Sequence, residues 1–102
     1  MKQSEVTLVR IYCSEAGHQH QKIIDMLHQD HRVAGVTAFR GIAGFGKSGH
    51  IHEAGLLDVS LDRPVIIEFF DRPDKVAAVL PLINEMVGPG HIVSWPATAN
   101  LE

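Results

Sequence analysis

The 102-residue sequence contains only one cysteine, Cys13, one tryptophan and one tyrosine. A lone cysteine cannot form an intrachain disulfide, so the chain is not a disulfide-stapled secreted domain, and we expect it in the reducing cytoplasm. No apolar run reaches the roughly 20 residues that a membrane-spanning helix needs, and the first residues show no signal peptide. We therefore expect a cytoplasmic protein that is not itself embedded in a membrane.

An excess of positive charge is also lacking. The chain has 9 lysines and arginines against 12 aspartates and glutamates, a formal net charge of −3. Proteins that bind nucleic acid usually present a basic face, so no nucleic-acid partner is expected. With 45% hydrophobic and 21% charged residues, the chain is globular and long enough for one domain, residues 1–102. Leu101 and Glu102 resemble a cloning scar.

The apolar patterns divide the chain into βαβ, a long connection, and a second βαβ. The predicted strands are 5–13, 33–42, 64–70 and 91–95, and the first predicted helix is 17–31. A second helix starts at 71–74, where a capping-type residue precedes a proline, contains Pro81, which should kink it, and ends at 88–90. This order predicts an α+β ferredoxin-like βαββαβ sandwich: a four-stranded antiparallel sheet with two helices on one face.

The first and third predicted strands are apolar on both faces. In the first strand, Val9 and Ile11 alternate with Leu8 and Tyr12, and the strand 64–70 shows the same pattern. Two helices can cover only one face of such a sheet, so the other face is either left as an exposed apolar patch or buried by another subunit. We predict a homo-oligomer, and a pairing of Arg10 with Glu68 across the sheet.

Five of the nine glycines lie in the long connection between the second and third predicted strands. Residues 41–48 match the phosphate-binding pattern G-x-x-x-x-G-K-[ST]. A true P-loop opens a helix after a parallel strand, whereas the residues after Ser48 show no helical stripe, so we interpret this match as coincidental. A glycine-rich segment with Arg40 and Lys47 can nevertheless offer backbone N–H groups and positive charge to an anion.

Seven histidines form three close pairs and one single residue. The pairs are His18 with His20, His28 with His31, and His50 with His52. Residues i and i+2 of an extended segment share a side, so each H-x-H could give two imidazoles to one divalent metal. The candidate metal ligands are His50, His52 and Glu53. The alternative is that these are surface histidines, and His28 and His31 would then meet the negative end of the first helix.

The glycine-rich segment also carries a family resemblance. Gly41-Ile-Ala-Gly-Phe-Gly-Lys-Ser-Gly-His50, together with the βαββαβ order, resembles the PII signalling proteins. It is more closely similar to a PII-related family of domains of unknown function. The resemblance covers residues 5–95 and is most specific over 41–53 and in the strand 64–70.

The resemblance implies a homotrimer with three clefts between subunits, each binding an adenine nucleotide, with magnesium. It further implies that a T-loop-like connection, about residues 43–63, engages a target protein. In this comparison Gly44-Phe45-Gly46 matches the base of that loop, Lys47 a basic phosphate contact, and Gly88-Pro89-Gly90 a second phosphate-binding loop. The implied ligand-binding residues are Arg40, Gly41, Gly44, Phe45, Gly46, Lys47, Ser48, Gly49, His50, Gly88 and Gly90.

Three features depart from the PII pattern. The second loop is short and lacks a lysine, no basic segment follows the last strand, and no tyrosine lies in the long connection to accept a uridylyl group. The effector could therefore be an adenine nucleotide, a smaller nucleotide, or none.

An enzyme in which a loop histidine is the general base for slow nucleotide hydrolysis is an alternative, but no paired carboxylates, nucleophile–base spacing or complete metal site support it. Two functional hypotheses follow. The first is a trimeric PII-like regulator that senses a small anionic effector and acts on a partner protein, for which the resemblance suggests a membrane transporter or channel. The second is a trimeric divalent-metal-binding protein that uses the loop histidines.

Overall fold

The computed structural model describes residues 1–31, 33–45, 52–53 and 63–102, with the backbone alone for His52 and Glu53. The described strands and the two α-helices are β1 (Ser4–Ser14), α1 (Gln19–Asp25), β2 (Val36–Arg40), β3 (Ala43–Gly44), β4 (His52–Glu53), β5 (Pro64–Asp71), α2 (Pro73–Val87) and β6 (Ile92–Ala99). No described helix is long and apolar enough to cross a membrane.

Four strands form one antiparallel sheet in the order β2-β5-β1-β6. Arg10 lies opposite Glu68 of β5 and Val93 of β6, and Phe39 of β2 lies opposite Ile66. The two long strands that are apolar on both faces are therefore the central ones, as is usual for such strands. The predicted α+β ferredoxin-like architecture is confirmed.

The core lies between the sheet and the two helices. Alternate residues of β1 and β5, including Val9, Ile11 and Phe69, point toward the helices and are buried. Ile23 of α1 and Ile83 of α2 belong to the same cluster. Both helices thus cover one face of the sheet, and burial of these side chains is the main stabilising term for so small a domain.

The predicted continuous helix 17–31 is wrong in its details. A 3₁₀ turn (Ala16–His18) precedes α1, and Met26–Asp30 continue from α1 as a π-type turn. Gly17 (φ 66°) and His18 (φ 55°) both adopt left-handed backbone, which breaks the helical path between the turn and α1. Histidine tolerates this region better than branched residues do.

The second helix begins at Pro73, within the predicted start at 71–74. Its N-cap is Arg72, with Pro73 in the first turn, and the helix continues through Pro81 to Val87. The Asp71 carboxylate accepts hydrogen bonds from the backbone N–H of Arg72 (2.8 Å) and of Ala34 (3.1 Å). Asp71 therefore ties the segment before β2 to the start of α2.

Two predicted strand boundaries are also wrong. β2 is shorter, spanning Val36–Arg40 rather than 33–42, and β6 runs on through Pro96 to Ala99 instead of ending at Trp95. A proline ends a central strand because it removes a ladder hydrogen bond, but it is tolerated at a sheet edge. β6 is an edge strand of this sheet.

Candidate functional site

The exit of β2 brings together Arg40, Gly41, Glu15 and Pro64. Arg40 Nε donates to Glu15 Oε1 at 2.5 Å, and their side chains are 59% and 15% exposed. The N–H of Gly41 donates to the carbonyl of Pro64 (2.8 Å), and the N–H of Glu15 donates to the carbonyl of Arg63 (2.9 Å). The long connection thus starts and ends against a fixed turn that holds an arginine–carboxylate pair.

Gly41 packs tightly against Pro64. A Cβ at this position would lie 3.0 Å from Cγ of Pro64 and 3.2 Å from its Cβ. Beyond Gly41, Ala43 and Gly44 pair with Glu53 and His52 in a two-residue antiparallel ladder. Phe45 is 75% exposed. The base of the connection is therefore a short hairpin stem that presents glycine backbone and an aromatic ring to solvent.

Gly88 and Gly90, the other part of the predicted site, precede β6. Both have positive φ, 76° and 87°, a conformation that favours glycine. Arg40 lies opposite Val65, which lies opposite Cys13 on its other side. Tyr12, next to Cys13, donates its N–H to the carbonyl of His91 (2.8 Å), the residue after Gly90. This turn and Arg40 therefore lie at the same end of the sheet. They lie at opposite edges, however, because β6 and β2 are the outermost strands.

Three interstrand spacings separate these two edges, roughly 14 Å at about 4.8 Å per spacing. The two glycine-containing turns therefore do not meet around one small ligand within a single chain. A site that uses both needs the β2 edge of one chain to face the β6 edge of another.

Several predicted ligand residues lie outside the described residues: Gly46, Lys47, Ser48, Gly49 and His50. The predicted metal ligands His52 and Glu53 lie in β4, where only the backbone is described. In the described part of the chain, no group of three or more histidine, cysteine, aspartate or glutamate side chains could hold a metal ion.

The first H-x-H pair is not in an extended segment, which agrees with its place in the predicted helix 17–31. His18 ends the 3₁₀ turn in left-handed backbone, and His20 lies in α1. Their ring centroids are 6.4 Å apart, and Nδ1 of His20 is buried without a hydrogen-bond partner among the described residues. The i, i+2 argument for shared metal ligation does not apply to this pair.

The face of the sheet that the helices leave uncovered is called the open face. Five of its large apolar or aromatic side chains are exposed: Tyr12, Phe39, Phe70, Val93 and Trp95. They come from all four strands of the sheet, so the exposed groups form one broad surface rather than scattered positions. The prediction that both faces of the central strands are apolar is confirmed.

An ion pair lies in the middle of the open face. Arg10 Nε donates to Glu68 Oε1 at 2.9 Å, as predicted, and the guanidinium carbon lies 6.0 Å from the Trp95 ring centroid. The hydrogen bond to Glu68 raises the pKa of Arg10 further above its ordinary value. Both charges are thus partnered on a surface that is otherwise mostly apolar, as burial by another chain would require.

Cys13 ends the helix-facing side of β1 and packs against the core. Burial raises the pKa of its thiol to about 11, whereas reactive cysteines have a lowered pKa. The predicted structural role of this residue agrees with its surroundings.

We expect Cys13 of the native protein to resist alkylation. At pH 8 a thiol with a pKa of about 11 is ionised to roughly one part in a thousand, and only the thiolate attacks. Iodoacetamide labelling followed by mass spectrometry should be much slower for native than for denatured protein, and should accelerate up to about pH 11. Equal alkylation rates for native and denatured protein at pH 8 would contradict the burial of the Cys13 thiol.

Glu15 is the residue of this region that sequence reasoning missed. It lies 25 positions before Arg40, and no local motif links the two. Only the strand order, which places β1 and β2 on either side of β5, shows that their ends lie close together.

The chain is similar to known proteins over most of its length. The DUF190 family model (Uncharacterized ACR, COG1993) matches residues 6–99. A UPF0166 protein of Aquifex aeolicus is 31% identical over 81 residues, which cover 76% of this chain and 77% of that protein.

Two solved structures have the same fold. CPII of Thiomonas intermedia K12, bound to ADP and bicarbonate, superposes with a TM-score of 0.70 at 18% identity, covering 96% of this chain and 89% of that one. The periplasmic divalent cation tolerance protein CutA of Archaeoglobus fulgidus gives a TM-score of 0.60 at 15% identity, with 95% and 86% covered. With its PII-like fold and a match from residue 6 to residue 99, the chain belongs to the DUF190 family.

Proposed function

We propose that this protein is a non-enzymatic, trimeric PII-like regulator of the cytoplasm. It binds a small anionic effector, an adenine nucleotide with magnesium, in the clefts between subunits. The long connection between β2 and β5 then acts on a partner protein, such as a membrane transporter or channel.

The observation that carries this proposal is the separation of the two glycine-containing turns. Arg40 and Gly41 lie at the β2 edge, and Gly88 and Gly90 lie at the β6 edge of the same sheet end. In a closed ring of identical subunits, one edge of each chain faces the other edge of its neighbour. Such a ring would join the two turns around one ligand at each of three interfaces.

The open face supports the same assembly. Its exposed aromatic and apolar groups, among them Phe70 and Trp95, need cover that one chain does not supply. Three sheets that turn these faces toward a common axis would bury them. The Arg10–Glu68 pair would enter the interface already neutralised, which lowers the cost of desolvating either charge.

The chemistry of the cleft suits an anion. Arg40 offers a guanidinium, which binds phosphate and carboxylate oxygens through paired N–H donors. The N–H groups of Gly41 and Gly88 are already bonded to the carbonyls of Pro64 and Asn84, whereas Gly90, with positive φ, lies in the kind of turn whose backbone N–H groups can approach a phosphate closely. CPII, which shares the fold, is bound to ADP and bicarbonate, and both of these ligands are anions.

Calorimetric titration with ATP, ADP, AMP and cyclic AMP, each with and without magnesium, tests this function. We expect saturable binding of at least one nucleotide at one site per subunit. Replacing Arg40 by glutamine should weaken it about tenfold or more, because a charge-assisted hydrogen bond contributes about 1.5–3 kcal/mol. Lys47→Ala should weaken it as well.

Arg72→Gln is the matched control. It makes the same change of charge at the exposed N-cap of α2, at the opposite end of β5, and should leave the affinity unchanged. Flat traces for every nucleotide would contradict the proposed effector. If zinc or copper then stabilised the protein, and the double change His50→Ala with His52→Ala removed that stabilisation, the metal-binding alternative suggested by the CutA fold would take its place.

A further inference from the structure

We propose that Glu15 is a specificity-determining residue of the anion site: its carboxylate occupies Arg40 in the free protein and penalises effectors in proportion to their negative charge. This inference rests on the proposed function, because it assumes that Arg40 contacts the effector. It concerns a residue that neither the glycine-rich motif nor the family resemblance indicates.

Hydrogen bonds at both the N–H and the carbonyl of Glu15 hold its backbone in place. Its N–H donates to Arg63 O (2.9 Å), and its carbonyl accepts from the N–H of His18 (3.1 Å). Its side chain is 15% exposed, against 59% for Arg40. The carboxylate is therefore the fixed member of the pair, and the long arginine side chain is the one that can adjust when a ligand arrives.

The pair spans the start of β5. Arg40 of β2 and Cys13 of β1 lie on either side of Val65, and Glu15 follows two residues after Cys13. Gly41, where the long connection begins, and Arg63, where it ends, are each hydrogen-bonded within this same cluster. A ligand that changes the Arg40–Glu15 contact would thus act on both ends of the connection.

The contact leaves Arg40 able to bind more than Glu15. It uses Nε, whereas a guanidinium carries five N–H donors, and among the described residues Glu15 is the one that accepts a hydrogen bond from the Arg40 side chain. An anion can bind there beside Glu15 or displace it. In both cases the anion meets the negative charge of a carboxylate that the fold holds in place, and the repulsion grows with the charge of the anion.

The test compares wild type with Glu15→Gln, which keeps an oxygen acceptor for Arg40 Nε and removes only the charge. Calorimetry with magnesium-free AMP, ADP and ATP at low salt should show that Glu15→Gln tightens ADP and ATP binding by roughly threefold to tenfold, and AMP binding by less. The gain should shrink at high salt, because salt screens exposed charges. Glu15→Ala should likewise tighten ADP and ATP binding more than AMP binding.

Glu5→Gln is the control, because it makes the same change of net charge at an exposed position near the start of β1, at the opposite end of that strand from Glu15, and should have no effect. Unchanged or weaker binding in Glu15→Gln while wild type binds would overturn the inference and leave the proposed function standing. Binding by Glu15→Gln but not by wild type would support the inference and show that the native site does not take these nucleotides. No binding by any variant would overturn both.

Discussion

Replacing Val93 with lysine is expected to convert the proposed trimer into a monomer. Val93 is 47% exposed in the single chain and lies on the open face, directly opposite Arg10 of β1. A buried lysine without a partner is strongly unfavourable. A second positive charge beside Arg10 would also compete for Glu68, which now accepts the Arg10 hydrogen bond at 2.9 Å.

Light scattering on a sizing column measures this effect. Wild type should elute with about three times the 11.2 kDa mass of one chain, and Val93→Lys with one. Leu82→Lys is the matched control, because Leu82 is 38% exposed on α2, away from the open face, and should stay trimeric. A monomeric wild type, or a Val93→Lys trimer, would contradict the proposed assembly, provided that circular dichroism shows a folded variant.

Replacing Phe69 with alanine is expected to produce the largest loss of stability of any single change considered for this chain. Phe69 is 1% exposed at the centre of the core and packs in one cluster with residues of both helices and the sheet. Truncation of a buried phenylalanine costs about 3–5 kcal/mol, from lost burial and from the cavity left behind. That is a large part of the 5–15 kcal/mol typical of whole domains.

Thermal unfolding at fixed protein concentration checks this prediction, since the melting temperature of an oligomer depends on concentration. The melting temperature should fall by more than about 10 °C, at a few degrees per kcal/mol for a domain of this size. Phe45→Ala deletes the same side chain at a position that is 75% exposed and should change stability by less than about 0.5 kcal/mol. Similar losses of stability in both variants would contradict the assignment of Phe69 to the buried core.

The architecture could be predicted from the sequence. The alternating pattern of the strands, the helical spacing of the apolar residues and the βαββαβ order of the elements all indicated the same fold. The alternation of Val9 and Ile11 with Leu8 and Tyr12 fixed both the strand and its two faces, and the antiparallel order then placed Arg10 opposite Glu68. These features depend on local pattern and on very few possible topologies.

The errors have particular physical causes. The break at Gly17 and His18 depends on two successive left-handed residues, and histidine gives no strong signal for that conformation. The extension of β6 past Pro96 depends on β6 being an edge strand, which becomes known only when the sheet order is known.

The candidate site could be predicted only in part. The glycine-rich pattern indicated Arg40 and Gly41, and the structure adds that a side chain at Gly41 would crowd Pro64. Glu15 could not be found, because its contact with Arg40 arises from two strand ends brought together across β5. The roles of residues 46–50, which lie outside the described part of the chain, stay predictions.

Pro96 affects how readily the edge strand β6 can pair with strands of other chains. Among the described strands β6 pairs only with β1, and an open strand edge of this kind invites pairing with strands of other chains and so leads to aggregates. A proline within the strand interrupts the row of N–H donors that such pairing requires. Pro96, which the sequence suggests as a strand terminator, therefore makes the single chain a poorer template for cross-β growth.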